Sequence, residues 1–159
     1  MTSDHPAVRV GSYDGPRPAL RPLFEEAEDS AAQLESYLDH GHVLVARIGG
    51  DLVGHLQLVQ TGRDGEVELK SMAVDEERRG SGIGTMLVDE ALARSRADGR
   101  TRMVVATAAA DIGNLRFYQR RGFRLERVER DAFDAAAGYD DVVIEGIPLR
   151  DRVWFSQEL

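Results

Sequence analysis

The segment from Val74 to Thr85 reads Val-Asp-Glu-Glu-Arg-Arg-Gly-Ser-Gly-Ile-Gly-Thr, with glycines at 80, 82 and 84 beside Arg78 and Arg79. Residues without side chains let successive backbone N–H groups converge on an anion, and the positive end of a following helix adds about half a unit charge there. A diphosphate suits such a cradle; so, on the letters alone, does a glycine-rich turn with solvated arginines. Two other phosphate loops fail on spacing. A nucleoside-triphosphate loop needs Gly-x-x-x-x-Gly-Lys-[Ser/Thr], and no lysine stands near Thr85. The dinucleotide pattern Gly-x-Gly-x-x-Gly finds Gly80 and Gly82, but Thr85 occupies the third glycine's place.

Elements must hold this loop. Ala7 to Tyr13 predicts a first strand, broken by Gly15, Pro16 and Pro18. Apolar residues at spacings of three and four from Leu20 to Asp39 predict one or two amphipathic helices. His42 to Ile48 and Leu52 to Thr61 read as strands joined by a Gly49-Gly50-Asp51 hairpin turn, and Glu66 to Val74 as a third antiparallel partner. Ile83, Leu87, Val88, Ala91 and Leu92 make the stripe of a helix ending at Gly99. The apolar run Met103 to Thr107 follows as a central strand reached by a β-α-β crossover. A second helix is expected from Ile112 to Arg121, then strands at Phe123 to Arg130 and Arg152 to Glu158 around a loop from Asp131 to Glu145. Trp154 and Phe155 are expected in core packing and an edge contact. Strand alternation puts Glu68, Lys70 and Met72 on one face, where Glu68 and Lys70 would form a solvated ion pair.

A chain of 159 residues fits one domain spanning 1–159. The absence of cysteine removes disulfides, thiolate nucleophiles and cysteine metal sites. His5, His40, His42 and His55 have no carboxylates at metal-ligand spacing and are read as structural, so no metal is expected. The formal net charge of -8 repels nucleic acid and anionic membranes at long range. No apolar run approaches the ~18–20 residues of a membrane span and the start lacks a leader pattern, so the expected location is cytoplasmic.

The run Arg79-Gly80-Ser81-Gly82-Ile83-Gly84 resembles the [Gln/Arg]-x-x-Gly-x-[Gly/Ala] pyrophosphate loop of the GNAT superfamily of acyl-CoA-dependent N-acyltransferases. Asn114-Leu-Arg-Phe-Tyr-Gln-Arg-Arg-Gly-Phe123 is similar to that superfamily's second signature, with a short spacing from Asn114 to Phe117. Both motifs stand in the family's order, within a likeness that runs from Val43 to Arg130. The resemblance implies an α/β (α+β) fold with one mixed, mostly antiparallel sheet of about six to seven strands flanked by helices, strands four and five splayed apart. It implies acetyl-CoA as cosubstrate, with the diphosphate on Arg79 to Thr85 and pantetheine on the free backbone of Met72, Ala73 and Val74. Asn114 and Tyr118 would complete the cofactor site.

The resemblance further implies Tyr118 as the acid for the departing thiolate and Glu68 as the base that draws a proton from the amine, with Glu66 a weaker substitute. Adjacent helical positions diverge by about 100°, which assigns Phe117 to the core and Tyr118 to the splayed gap. The arginines 116, 120, 121 and 124 are candidates for the 3'-phosphate. The acceptor would be a primary amine of a small molecule or peptide. The acidic residues Glu25, Glu26, Glu28, Asp29, Glu35 and Asp39, with Asp131 to Glu145, favour a cationic one. The rival class is a non-catalytic acyl-CoA sensor or interaction module, and a homodimer is a further family expectation.

Overall fold

The computed structural model describes residues 7–159, and His5 lies outside them. Its sheet begins with β1 (Val8–Ser12), β2 (His42–Ile48), β3 (Asp51–Gln60) and β4 (Glu66–Val74), each antiparallel to the one before. Helix α3 (Ile83–Ala97) then carries the chain back to β5 (Arg102–Ala108), which lies parallel to β4. The strands β6 (Arg124–Glu129) and β9 (Arg152–Glu158) complete seven strands in the order β1-β2-β3-β4-β5-β9-β6.

Two helical layers cover the sheet because its strands carry apolar side chains on both faces. On one face, Ile83, Leu87, Val88, Ala91 and Leu92 of α3 are at most 5% exposed and pack with Leu44, Leu56, Leu69, Val105 and Phe155. Each such side chain larger than Ala91 contributes roughly 1.5–3 kcal/mol by leaving water. Gly99 ends the run at a φ of 78°, as a residue just past a helix end prefers. Helix α4 (Ile112–Arg120) starts where the Asp111 side chain accepts the Asn114 N–H at 2.9 Å. The opposite face is closed by α1 (Arg21–Ala27) and α2 (Ala31–Tyr37), whose Leu23, Phe24 and Leu34 pack on Val43 and Val45. The expected amphipathic stretch is thus two short helices, separated at Glu28 to Ser30, where the Ser30 Oγ caps α2 by accepting from Gln33 N–H.

Two features depart from the sequence expectation. The segment from Asp131 to Glu145 is an arm, not a plain loop: β7 (Val143–Ile144) and β8 (Ile147–Pro148) pair as a ribbon about Glu145 and Gly146, both at positive φ. Its Tyr139 and Leu149 pack with Ala108 of β5. Second, Lys70 is an extra residue in β4: Leu58 faces Leu69 while Gln57 faces Ser71. Directly opposed residues share a face, so this bulge places Leu69 and Met72 on the α3 face and Glu68 and Ser71 on the α1 face. Simple alternation had grouped Glu68 with Met72, and the inserted residue reverses that.

Candidate active site

Pairing of β4 with β5 runs from Glu66 and Arg102 to Leu69 and Val105 and stops there. Beyond it the strands diverge, opening a cleft of about 780 Å³ lined by the rest of β4, the loop before α3, α4, α1 and the arm. Asp75 donates its N–H to the Val53 carbonyl, so alternation turns the main chain of Ser71 and Ala73 toward β3 and that of Met72 and Val74 into the cleft. Met72, Ala73 and Val74 all line it.

The loop delivers further donors. Gly80 and Gly82 hold φ of 78° and 88°, a left-handed conformation that costs an ordinary L residue about 1–2 kcal/mol. Nothing lies within 4 Å of a Cβ built on either one, so the backbone alone demands glycine there. Gly82 is the N-cap of α3 and its carbonyl accepts the first helical bond from Met86. The N–H groups of Ile83, Gly84 and Thr85 therefore precede any intrahelical acceptor, and these residues line the cleft with Gly80 and Gly82. Arg78 stands beside them exposed. Arg79 also lines the cleft, its side chain donating to the Val74 carbonyl at 3.2 Å and pairing with Glu26 at 3.1 Å. Ser81 turns its hydroxyl back to the Arg78 carbonyl and does not line the cleft.

Helix α4 brings both aromatic residues to the cleft, with burial opposite to the sequence expectation. Phe117 is half-buried, 3.5 Å from the position of a Cβ on Gly84. Tyr118 is 4% exposed, its ring edge-on to Phe123 and tilted against Phe155. The two rings themselves meet in a T-shape at 5.2 Å. Helix geometry separates their Cβ directions but leaves the rings free to touch, and Phe117 packs over Gly84. Tyr118 still lines the cleft, and its hydroxyl has no hydrogen-bond partner among the described residues. Burial raises its phenol above the usual tyrosine range, and the Asp111 charge adds to this. Asn114 lines the cleft too, with Nδ2 donating to Thr107 Oγ1 at 3.1 Å, a bond that ties α4 to β5.

Glu68 sits on the α1 side of the cleft with its side chain 17% exposed. Burial raises its carboxyl above the usual range and Glu66 adds to that, while Lys70, at 3.9 Å, and Arg152 oppose it. The expected pair with Lys70 exists, but in a cleft wall and not on a solvated face. Glu66 does not line the cleft: it is buried and bound to Arg102 at 3.0 Å. The arginines 116, 120, 121 and 124 do not line it either.

The mouth opposite the loop is acidic and aromatic. The Glu28 carboxylate accepts hydrogen bonds from Tyr37 at 3.0 Å and from Tyr139 at 2.5 Å, clamping the arm to the α1–α2 joint. Burial drives both phenols up, and the Glu28 carboxylate does the same. Asp29, Phe133 and Trp154 line the cleft as well, while Glu26 lies on the loop side, paired with Arg79.

A family model described as "Acetyltransferase (GNAT) family" matches residues 13–123, which span both motif regions and the splayed strands. The chain belongs to the GNAT acetyltransferase family. Among curated proteins it is similar to the uncharacterized N-acetyltransferase YvbK of Bacillus subtilis (strain 168), 32% identical over 135 residues that cover 84% of this chain and 85% of that one. Among solved structures it is similar to an acetyltransferase of Bacillus subtilis in complex with CoA, with a TM-score of 0.87 at 28% identity, covering 96% of this chain and 99% of that chain. The IAA acetyltransferase from Bacillus cereus ATCC 14579 has the same TM-score of 0.87 and 28% identity, covering 96% of this chain and all of that one. The chain is thus a GNAT acetyltransferase, and GNAT neighbours bind CoA.

Tyr37, Ser71, Phe133, Tyr139, Arg152 and Trp154 line the cleft without having been singled out from sequence as site residues. Trp154 had a legible signal: Val153 and Phe155 are the buried face of β9, so the residue between them points the other way. Tyr139 had none, since its partner Glu28 lies 111 positions away.

Proposed function

We propose that this GNAT acetyltransferase transfers the acetyl group of acetyl-CoA to a primary amine of a small molecule or peptide by direct attack of the amine on the thioester. The single observation behind this is the cleft, which joins a helix-start amide cradle, an unpaired β4 edge and an uncommitted buried phenol. Acetyl-CoA supplies the activated acyl group. The Gly80 to Thr85 amides would hold its diphosphate, with Arg79 and Ser81 setting the loop's shape. Met72, Ala73 and Val74 would bind pantetheine beside Asn114, and the β4 amides would polarise the thioester carbonyl.

Glu68 takes the proton that the amine must lose, a role its raised pKa suits. Tyr118 gives the proton that the leaving thiolate needs. Its high pKa keeps the phenol protonated at neutral pH. The carboxylates of Glu28 and Asp29, with the faces of Tyr37, Phe133 and Trp154, favour a cationic acceptor. Residues 1–159 would act as one domain. The test is thiol release from acetyl-CoA with a panel of cationic, neutral and anionic amines, run on wild type and Tyr118→Phe. Turnover with cationic amines that collapses in Tyr118→Phe supports the proposal. Coenzyme binding without turnover on any amine returns the molecule to the sensor class.

A further inference from the structure

The lysine bulge brings Glu68 and Ser71 to one face of β4, both on the wall of the cleft. Behind Ser71 stands His55 of β3, fully buried under the Phe24 ring, with Nε2 2.9 Å from Ser71 Oγ. Its Nδ1 is buried with no partner among the described residues. An unpartnered buried N–H is rarer than an unpartnered acceptor, which puts the ring proton on Nε2, donating to Ser71 Oγ. The serine's own hydrogen is then free, and since His55 fills one side of the oxygen it turns toward the cleft. Gln57, directly across from Ser71, does not take it: its Nε2 hydrogens go to the Tyr37 and His40 carbonyls, and its Oε1 has no partner among the described residues.

We infer that Ser71, oriented by His55, is a positioning residue for proton removal from the acceptor amine: its hydroxyl holds the water through which the proton travels to Glu68. This rests on the acetyl-transfer function proposed above. In the step an ammonium N–H bond breaks and its proton passes to the water oxygen as that water gives one of its own protons to the Glu68 carboxylate. The products are neutral amine, protonated Glu68 and water, so charge and atoms balance. Ser71 gains and loses no proton; it donates one hydrogen bond to the water and accepts one from His55. Burial holds the His55 ring neutral, with its pKa lowered to about 3, so the donor pattern persists at working pH.

The experiment compares wild type, Ser71→Ala and Ser71→Thr for kcat, KM of the amine and CoA affinity by calorimetry, and reads the His55 tautomer by nitrogen-15 NMR. Ser71→Ala is expected to lose about tenfold or more in kcat with CoA affinity unchanged, Ser71→Thr to recover most of the loss, and His55 to carry its proton on Nε2. Wild-type kcat in Ser71→Ala, no recovery in a Ser71→Thr that binds CoA, or an Nδ1-protonated ring overturns the inference. A wild type that releases no thiol with any amine overturns the acetyl-transfer function and this inference with it, whereas an active wild type with a fully active Ser71→Ala overturns the inference alone. The NMR reading on the unmodified protein stands even where both variants fail to fold.

Discussion

Two buried titratable side chains beside the cleft give opposite signatures. For His55 the folded pKa, about 3, lies below the unfolded value of ~6.5. Its contribution to stability is therefore complete above pH 6.5 and is lost as pH falls toward 3, at up to about 1.4 kcal/mol per pH unit. His55→Gln is expected to flatten that slope in thermal melts between pH 6.5 and 5. Glu68 runs the other way. Its folded pKa is raised, so its contribution is complete below the unfolded value of ~4.3 and is lost as pH rises through the raised one. Glu68→Gln should then melt higher than wild type at pH 7, with the gap closing toward pH 4, while losing activity. A lower melting temperature at pH 7 would mark Glu68 as a partner of Lys70 and no more. Tyr118→Phe removes one hydroxyl from a packed ring, and a fall of about 100-fold in kcat with CoA affinity intact is the expected outcome. Residue by residue, sequence located Tyr118, Glu68 and Met72 to Val74 on the cleft wall. It misjudged only which of the two adjacent rings is the more buried, since neighbouring aromatic residues give no clue to how deep each one packs.

Among the elements, the loop before α3 has the sharpest requirement. Gly82→Ala places a Cβ in open space but at a φ of 88°, so its cost is conformational, about 1–2 kcal/mol. It should appear as a modest drop in melting temperature together with weakened CoA binding, because relaxing φ moves the amides of Ile83 and Gly84. Loss of stability with unchanged affinity would separate the loop from the diphosphate. The strands Glu66–Val74 and Arg152–Glu158 were legible to the residue, as apolar runs bounded by glycine or acidic turns. The bulge at Lys70 was not, since an extra residue leaves no mark in a pattern read on one strand. The β7–β8 ribbon escaped for a related reason: each strand is two residues long, too short for a period.

At the scale of the molecule, a net charge of -8 surrounds a locally cationic loop. Coenzyme A is an anion, so long-range repulsion opposes its approach while the amide cradle binds it at short range. Salt screens the first more than the second. Raising ionic strength is expected to leave KM for acetyl-CoA unchanged or lower, and to raise KM for a cationic amine at the acidic mouth by several-fold. Equal salt response for cationic and neutral amines would remove the charge argument for the acceptor. The parallel β4–β5 step could be read from the helix between them, since a β-α-β crossover joins parallel strands, whereas the place of β9 between β5 and β6 could not. The clamp of Glu28 between Tyr37 and Tyr139 could not, because contacts so distant along the chain exist only once the fold brings them together.

The most direct measurement is a calorimetric titration of the wild-type protein with coenzyme A alone, free of any assumption about the amine. Saturable binding at one site per chain, weakened in Gly82→Ala and preserved in Tyr118→Phe, is the expected result. No heat of binding at millimolar coenzyme, or binding indifferent to Gly82, would contradict a diphosphate held on the amides at the start of α3.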